Sequence, residues 1–273
     1  MALRFAGRSV ARSVPRRVAV LTSFVANAFS QSIGFALLTG PAVRLRAYSR
    51  YGLDSAAITW VSAFVTFTAT LGLLATGAAA LIASSAPLSA GGGSIAIRPL
   101  GALMALPVIG YLIWSAFGAS EEIGRGRWRV CRPLPAVAGG QLLLSSLDWL
   151  LTGTVLYLLL PPSLSLSYPA FLRAYMVAQT LGVISHVPGG VGVFEAVLTM
   201  QLVSEGPSAD RVALAASLVM FRVLYYLAPL VAAAALSAFS ELRRWRGSSS
   251  RDAQSATADS ARLGVTPSAA HAD

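Results

Sequence analysis

The sequence contains no lysine and a single cysteine, and charged residues of either sign are scarce. Only 12% of its 273 residues are charged, whereas about 25% is usual in a soluble domain. With 55% hydrophobic residues and a mean hydropathy of +0.66, the composition excludes a disordered chain, a coiled coil, a collagen and an ordinary water-soluble enzyme. One cysteine, Cys131, excludes an internal disulfide. The sequence therefore predicts an all-α polytopic integral membrane protein.

The positive charge belongs to arginine alone. All 21 basic residues are arginines, against 11 acidic residues, which gives a net charge of +10. In a soluble chain this excess would indicate a nucleic-acid partner. Here most arginines lie in short runs between apolar stretches, where membrane proteins carry their topology signals. We therefore expect no nucleic-acid partner.

Long charge-free segments predict the membrane spans, since a spanning helix needs about 20 apolar residues. Two further apolar segments, 18–40 and 170–205, are interrupted and predict broken or re-entrant helical hairpins. The chain then divides into a basic N-terminal segment (1–17), a transmembrane domain (18–240) and a low-complexity tail (241–273). The four predicted full spans are 56–83, 100–119, 136–160 and 211–239.

The distribution of arginines favours a re-entrant hairpin at 18–40. If this segment crosses once, the arginines before and after it lie on opposite sides of the membrane. If it returns, fifteen arginines share one side, and only Arg98, Arg211 and Arg173 lie near the other. The positive-inside rule then predicts cytoplasmic N- and C-termini. A cleavable signal peptide ending near residues 26–28 is the alternative interpretation of this segment.

The second interrupted segment is broken by Pro188-Gly189-Gly190. Proline removes a backbone donor and glycine loosens a helix. Non-helical backbone at membrane depth is tolerated only where it is buried in protein or lines a wet cavity. The break therefore predicts such an environment, and two thin helices joined by an ordinary turn are the alternative.

A weak internal repeat relates the two hairpins. Val25-Ala26-Asn27 and Gly40 match Val177-Ala178-Gln179 and Gly192 at a shift of 152 residues. Three full spans lie between the copies, and an odd number inverts the second copy. The repeat thus predicts hairpins that enter from opposite sides, an arrangement typical of transporters.

Ionisable residues within apolar segments are the candidates for function, because a charge in lipid costs from about 2.5 kcal/mol upward. Glu195 and Arg222 are predicted to pair, either at a ligand site or as a buried ion pair that fixes helix packing. Asp148 has the same two interpretations, and His186 adds a titratable group. Arg173 lies near the edge of a span. It either contributes to a ligand site or extends its guanidinium towards water.

The basic patch Arg44, Arg46 and Arg50, with Tyr48 among them, lies at a predicted membrane boundary. Arginine donates paired hydrogen bonds to phosphate, which favours anionic lipid headgroups as partners. The alternative is that these charges only set topology. His271 is the second of two histidines and lies in the tail, so the sequence predicts no metal site, no cofactor and no hydrolase triad.

Residues 185–195, Ser-His-Val-Pro-Gly-Gly-Val-Gly-Val-Phe-Glu, closely resemble the signature of the lysylphosphatidylglycerol synthase transmembrane-region family. This family includes the flippase domain of the multiple peptide resistance factor. Two softer similarities lie at 34–53 and 147–161, and together the three stretches cover about residues 18–240.

The resemblance implies a bacterial inner-membrane protein that handles phospholipid, with a link to antimicrobial peptide resistance. In full-length relatives the membrane part moves aminoacylated phosphatidylglycerol to the outer leaflet, and a soluble domain makes it. Compared with these relatives, this sequence lacks the soluble synthase domain and the spans before the first hairpin; the expected reasons for the second difference are a truncated gene or a wrongly assigned start. Thr39-Gly40-Pro41 also replaces a more glycine-rich turn. Because the soluble domain that makes the lipid in these relatives is missing from this sequence, we expect a protein that is not an enzyme.

The resulting hypothesis is a phospholipid-binding or phospholipid-translocating protein whose partner is an anionic or aminoacylated phospholipid. Breaks near Gly40 and at 188–192 would line a polar cavity. The alternative is a non-transporting membrane subunit that docks a lipid- or glycan-modifying enzyme through the loop at 120–135. A membrane-protein partner or a homo-oligomer is a separate expectation. The predicted substrate-binding residues are Arg44, Arg46, Tyr48, Asp148, His186, Pro188, Gly189, Gly190, Gly192, Glu195 and Arg222.

Overall fold

The computed structural model describes residues 14–33, 36–84, 88–90, 93–95, 97–118, 122–123, 130–203 and 208–241. These residues are almost entirely helical. The longer helices are α1 (Arg16–Ile33), α2 (Ala36–Tyr48), α3 (Ser55–Ala83), α4 (Arg98–Phe117), α5 (Pro135–Leu159), α6 (Tyr168–Ile184), α7 (Val193–Val203) and α8, which runs from Ser208 to Arg222, through a π-helical turn at Val223–Leu227, and on over 228–241. Short 3-10 turns lie at Ser49–Tyr51, Pro162–Leu164 and Pro188–Gly190.

Two small antiparallel strand pairs lie in the connecting loops. Leu88–Ala90 pairs with Gly93–Ile95 between α3 and α4, and Glu122–Ile123 pairs with Val130–Cys131 between α4 and α5. The sequence predicted loops at both places. The strands are too short to form a sheet core, so the fold class remains all-α.

Four helices, α3, α4, α5 and α8, are long and apolar enough to cross a membrane. A helix satisfies its own backbone polar groups, which lipid cannot do. Large apolar side chains also cover the outside of the bundle, with Leu106 63% and Leu158 76% exposed. A surface this apolar would be unstable in water, so the protein is a multi-pass membrane protein. The four spans predicted from the sequence are confirmed.

Local signals explain where the spans begin. The Asp54 carboxylate accepts a hydrogen bond of 2.8 Å from the Ala57 backbone N–H and caps α3. Prolines occupy the first turns of α4, α5 and α6, where their missing N–H has no helical partner to lose.

The two remaining apolar segments form helical hairpins. In the first, α1 packs along α2, and in the second, α6 turns through Pro188–Gly190 into α7. The predicted break near Gly40 is wrong, because α2 continues through both Gly40 and Pro41. Gly40 packs against α1 so closely that a Cβ atom there would lie 2.6 Å from Ser30 Oγ. It is therefore a position at which α1 and α2 pack against each other.

Helix α8 shows that the hairpins enter from opposite ends of the bundle. Near its first turn, Asp210 accepts a hydrogen bond from Ser163, which lies just before the second hairpin. At its last residue, Glu241 forms an ion pair with Arg46 at the end of the first hairpin. We call these two ends the Asp210 end and the Glu241 end. This is the arrangement that the inverted repeat predicted.

The tips of both hairpins reach the middle of α8. Ser32, at the end of α1, donates a hydrogen bond of 3.2 Å to the Tyr226 carbonyl oxygen. The Gly189 carbonyl oxygen, in the turn of the second hairpin, lies 3.4 Å from two nitrogens of the Arg222 guanidinium. Arg222 follows Ser208 by 14 residues and precedes Glu241 by 19. The hairpins therefore meet about halfway along a spanning helix.

An aromatic core holds the second hairpin against α8. Phe171 and Tyr175 on α6 stack at 5.7 Å, Tyr175 meets Phe194 of α7 at 5.9 Å, and Phe221 stacks on Tyr225 at 5.3 Å. Such pairs stabilise a core by about 0.5–1.5 kcal/mol each beyond their buried area. The position of the turn at 188–190 is thereby fixed relative to Arg222.

Parts of the predicted domain organisation lie outside the described residues. These are residues 1–13 of the basic N-terminal segment, residues 242–273 of the tail, and residues 120–121 and 124–129 of the proposed docking loop.

Candidate functional site

An ion pair between Glu195 and Arg222 lies where the two hairpins meet α8. Arg222 Nε donates to Glu195 Oε1 at 2.5 Å, and Arg222 Nη2 contacts the same oxygen. Each side chain is 26% exposed. The pair that the sequence predicted therefore forms, and it is neither fully buried nor free in solvent.

The turn before α7 positions Glu195 through its backbone conformation. Gly189, Gly190 and Gly192 all have positive φ angles, of 62°, 61° and 83°. Residues other than glycine rarely adopt this region, which explains three glycines within four positions. Gly190 also packs on Gly182 of α6, so closely that a Cβ atom at Gly190 would lie 3.5 Å from the Gly182 Cα atom. The turn thus folds back tightly on its own hairpin.

Glu195 also caps its own helix. Its Oε2 atom accepts a hydrogen bond of 2.7 Å from the Gly192 backbone N–H, while Oε1 faces Arg222. A carboxylate in the first turn of a helix is favoured by the helix dipole and by the free backbone N–H groups. Glu195 is therefore held from both sides in one orientation.

The π-helical turn of α8 directly follows Arg222. The Arg222 guanidinium carbon lies 5.4 Å from the centre of the Tyr226 ring, within the range of a cation–π contact. The Tyr226 carbonyl oxygen in the same turn accepts the hydrogen bond from Ser32. π turns are frequent at functional sites, because they redirect side chains and backbone groups of an otherwise regular helix.

A cavity of about 340 Å³ opens between these elements. Its polar lining comes from Gln31 and Ser32 of α1, the backbone at Gly189, and Arg222 and Tyr226 of α8. Its apolar lining is formed by Val191, Val219, Val223, Leu227 and Leu230. Arginine, hydroxyl and amide groups around a small space at this depth provide hydrogen bonds for a polar ligand group that lipid itself cannot offer.

Tyrosines extend the polar region from the cavity towards α5 and α6. The Tyr225 hydroxyl accepts a hydrogen bond of 2.9 Å from Thr152 and interacts with Gln31. Tyr226 interacts with Gln179, whose amide donates to the Tyr175 hydroxyl at 3.0 Å. Gln31 and Gln179, one from each copy of the repeat, therefore both belong to this network.

Asp148 lies on α5, one helical turn before Thr152, and its side chain is exposed. It is close enough to Tyr175 and Tyr225 to interact with both electrostatically. Within the described ranges, no cationic side chain lies at ion-pair distance from it. Asp148 therefore places a second carboxyl group, besides that of Glu195, close to the network.

His186 and Pro188 shape the turn at the tip of the second hairpin. His186 is exposed, has a positive φ of 54°, and its Nδ1 lies 2.7 Å from the Ile184 carbonyl oxygen. Pro188 begins the 3-10 turn with its φ fixed by its ring. Neither side chain contributes to the cavity lining.

The predicted basic patch lies elsewhere. Arg46 pairs with Glu241 at 3.1 Å at the Glu241 end, which is about 28 Å along α8 from Arg222 at 1.5 Å per residue. Tyr48 is 1% exposed in a small apolar core with Val14, Leu53 and Ile58. Arg44 is 6% exposed and lies against Gly40. The structure thus separates the predicted residues into two groups. Of these residues, Gly189 and Arg222 line the cavity, Glu195 is paired with Arg222, and Asp148 lies beside the tyrosine network.

Sequence reasoning missed Tyr225, Tyr226, Thr152 and the π turn. The available signal for the tyrosines was a Tyr-Tyr pair that begins three residues after an arginine, within an apolar helix. Gln141 joins α5 to α4 and α3: it accepts a hydrogen bond of 2.6 Å from Tyr111 and donates one of 2.8 Å to Thr68.

Comparison with known proteins gives relatives that match most of this chain and others that match about a third of it, while no protein-family model matches the chain. An uncharacterized protein of Synechocystis, slr0712, is 33% identical over 238 residues, which cover 86% of this chain and 73% of that protein. The inner membrane protein YbhN of Escherichia coli is 31% identical over 222 residues, covering 80% and 68%. A phosphatidylglycerol lysyltransferase of Staphylococcus epidermidis is 35% identical over 96 residues, which are 35% of this chain and 11% of that protein.

Proposed function

The chain belongs to the family of the Escherichia coli inner membrane protein YbhN and Synechocystis slr0712, and from this premise we propose that it binds phospholipid headgroups within the membrane and moves them between leaflets. Similarity to a segment of phosphatidylglycerol lysyltransferase supports a role connected with membrane lipid. We further propose that it acts in a bacterial inner membrane without catalysing a reaction itself.

One observation supports the proposal: Arg222, which is paired with Glu195, lines a cavity at the point where two opposed hairpins meet in the middle of a spanning helix. A charge pair that served only packing would need no cavity beside it. An accessible pair offers a cation for a phosphate group and a carboxylate for an amine. Both groups occur on aminoacylated phospholipids, and the phosphate occurs on all anionic phospholipids.

In the proposed cycle the site alternates between an empty state and a state with a bound headgroup. Without ligand, Glu195 and Arg222 neutralise each other. A bound headgroup brings its phosphate to Arg222, and an amine on the same headgroup replaces the guanidinium beside Glu195 or approaches Asp148. Exchange of partners keeps the number of unpaired charges in the membrane low, which lowers the barrier to crossing.

Access from the two leaflets follows from the opposed hairpins. We propose that the Glu241 end is cytoplasmic, because Arg46 and Arg50 are exposed there, as the positive-inside rule predicts. The first hairpin would open towards that side and the second towards the other. Rocking of inverted halves around a fixed central site is the general means of alternating access.

A leaflet assay tests the proposal. Purified protein is reconstituted into vesicles containing a fluorescent aminoacylated phosphatidylglycerol, and a membrane-impermeant quencher reports the fraction exposed at the outer leaflet. We expect wild-type protein to equilibrate the lipid between leaflets and Glu195→Gln to slow this at least about tenfold, the effect of one lost charge-assisted hydrogen bond.

Asp210→Asn is the matched control, since Asp210 is a carboxylate on the same protein that hydrogen-bonds Ser163 far from the cavity. It should transfer lipid at the wild-type rate. Equal rates for wild type, Glu195→Gln and protein-free vesicles would contradict the proposed function. The alternative docking role depends on residues 124–129, which lie outside the described ranges, and no observed contact favours it.

A further inference from the structure

The first hairpin encloses an arginine that has no acidic partner. Arg44 of α2 is 6% exposed, and among the residues that the structure describes its guanidinium forms neither an ion pair nor a hydrogen bond. Two carboxylates at the same end of the bundle are engaged elsewhere: Asp54 caps α3, and Glu241 pairs with Arg46. An enclosed charge without a counter-ion is destabilising, so this guanidinium indicates a missing anion.

Hydroxyl groups lie on both sides of the Arg44 guanidinium. Towards the tip of the hairpin, a Cβ atom built at Gly40 would lie 3.0 Å from Arg44 Nη1 and 2.6 Å from Ser30 Oγ of α1. Towards the Glu241 end, Arg44 interacts electrostatically with Tyr48, whose hydroxyl interacts with Ser23. A hydroxyl group can donate a hydrogen bond to an anion. The surroundings of Arg44 therefore offer hydrogen-bond donors to an oxyanion.

Small side chains keep this guanidinium accessible. In the antiparallel pair of α1 and α2, Ser30 faces Gly40. One helical turn further from the tip, Ala26 therefore lies opposite Arg44, and its small side chain is fully buried. The Arg44 nitrogens are not among the fully enclosed, unpartnered polar atoms of the described ranges, so they retain accessible surface. An anion can therefore reach the guanidinium, although protein covers most of the side chain.

Arg44 lies at the depth of the lipid phosphates at the Glu241 end. Helix α2 ends at Tyr48, four residues or about 6 Å beyond Arg44 at 1.5 Å per residue. Arg46 lies between them and is exposed, where it pairs with Glu241. The headgroup region adds about 5–8 Å on each side of a hydrocarbon core of about 30 Å. A phosphate group at the membrane surface is therefore within reach of the guanidinium.

We propose that Arg44 and the hydroxyl groups beside it bind a phosphate group, which an anionic phospholipid of the leaflet at the Glu241 end supplies. The guanidinium donates paired hydrogen bonds to the phosphate, the hydroxyl groups offer further donors, and the acyl chains remain in the surrounding lipid. This inference rests on the proposed function and adds to it a separate site, at which lipid of that leaflet is held before it reaches Arg222.

Photolabelling locates the bound lipid without measuring transfer. Wild-type protein in vesicles is irradiated with phosphatidylglycerol that carries a diazirine at the top of one acyl chain, and labelled residues are identified by mass spectrometry. We expect labels around Leu45, which is exposed beside Arg44. Arg44→Gln should reduce this labelling about tenfold, the effect of a lost charge-assisted hydrogen bond. Gly40→Ala keeps the charge but places a methyl group against Nη1, and it should also reduce labelling.

Two matched controls change the same residue types outside the site. Arg46→Gln removes an exposed arginine two residues away on the same helix, and Gly139→Ala adds a methyl group at an open position of α5. Both should retain most of the wild-type labelling. Unchanged labelling in both Arg44→Gln and Gly40→Ala, or an equal loss in the controls, would overturn the proposed site, because general surface charge would then explain the lipid contact.

Thermal unfolding in lipid-free detergent checks that the variants fold. Arg44→Gln removes a charge that lacks a partner, so its unfolding midpoint should equal or exceed that of wild-type protein. A midpoint well below that of wild type would show that the guanidinium stabilises the empty hairpin, and would overturn the inference that its partner is a ligand.

Two further arms identify what carries the phosphate. Labelling around Leu45 that persists in excess inorganic phosphate assigns the site to the lipid, and selective loss of these labels assigns it to free phosphate; each result supports a phosphate site. A phosphatidylcholine probe of the same design carries an ammonium group that would lie beside the guanidinium, and it should label this region weakly. Equal labelling by the two probes would contradict a site for anionic lipid.

The label at the first hairpin is independent of the central ion pair. Glu195→Gln should lose lipid transfer yet keep the labels around Leu45, which would support a separate site. If transfer by wild-type protein is absent but labelling depends on Arg44, the proposed function fails and the phosphate site remains. If transfer proceeds normally while Arg44→Gln labels like wild type, the phosphate site fails and the proposed function remains.

Discussion

Neutralising both members of the Glu195–Arg222 pair separates what the pair contributes to stability from what it contributes to lipid transfer. Three variants are needed: Glu195→Gln, Arg222→Gln and the double substitution. Glutamine keeps the length of glutamate and still accepts the hydrogen bond that the Gly192 N–H donates. The variants therefore change charge while retaining most of the local geometry.

The structure sets the expected magnitudes. Removing one partner of a fully buried pair costs about 3–5 kcal/mol. Each side chain here is 26% exposed, and in Glu195→Gln the guanidinium keeps the Gly189 carbonyl oxygen and the Tyr226 ring as partners. We therefore expect each single variant to lose about 1–3 kcal/mol. The double variant leaves no unpaired charge and should recover to within about 1 kcal/mol of wild type.

Thermal unfolding in detergent measures the stability of the three variants, and the leaflet assay measures lipid transfer. We expect stability to recover in the double variant while transfer remains lost, because a neutral amide pair no longer offers ionic partners to a headgroup. Recovery of transfer together with stability would refute the reasoning and would reduce the pair to a packing element.

Two further predictions concern parts of the fold whose roles the structure separates. Gly192→Ala and Gly110→Ala both place a Cβ atom in open space, but Gly192 has φ +83° and Gly110 lies within α4. Gly192→Ala should therefore destabilise the protein by about 1–2 kcal/mol, and Gly110→Ala should stabilise it by up to about 1 kcal/mol. Shifts in the midpoint of thermal unfolding measure both effects. Equal shifts would contradict the strain at Gly192. Gln141→Leu removes the partners of Tyr111 and Thr68 and should cost about 1–3 kcal/mol in unfolding free energy, with lipid transfer per folded molecule unchanged. A selective loss of transfer would place Gln141 in the functional network.

Hydropathy and charge predicted the spans because lipid imposes simple requirements on a crossing segment. An uninterrupted apolar run of about 20 residues is long enough, and a helix is the local structure that satisfies its backbone there. The same reasoning predicted the Glu195–Arg222 pair, since two isolated charges in apolar segments are stable only together.

Positions decided by tertiary packing were beyond the sequence. The sequence predicted a helix break at Gly40 and Pro41. In the structure α2 continues through both residues, and Gly40 lets α1 approach closely. Tyr48 was predicted to belong to an exposed basic patch, but it is buried against α1. The π turn after Arg222 has no local sequence signal and is supported by contacts with Ser32 and the second hairpin.

The candidate site was predicted in its chemistry and not in its assembly. The motif at 185–195 and Asp148 indicated the second hairpin and α5. The contribution of α1 through Gln31 and Ser32 followed only from the meeting of the two tips. Arg44 and Arg46 carried the expected chemistry but lie near the Glu241 end, so they belong to a separate surface.

Water access at the meeting point of the hairpins tests the central claim most directly. In a Cys131→Ser background, cysteines are introduced at Ser32, which lines the cavity, and at Leu106, which is exposed on the lipid-facing side of α4. Both lie near the middle of the membrane, and a water-soluble thiol reagent is applied to sealed vesicles from each side. The cysteine at position 32 should react and the one at position 106 should not. Equal resistance of both positions to the reagent would contradict a hydrophilic cavity between the hairpins.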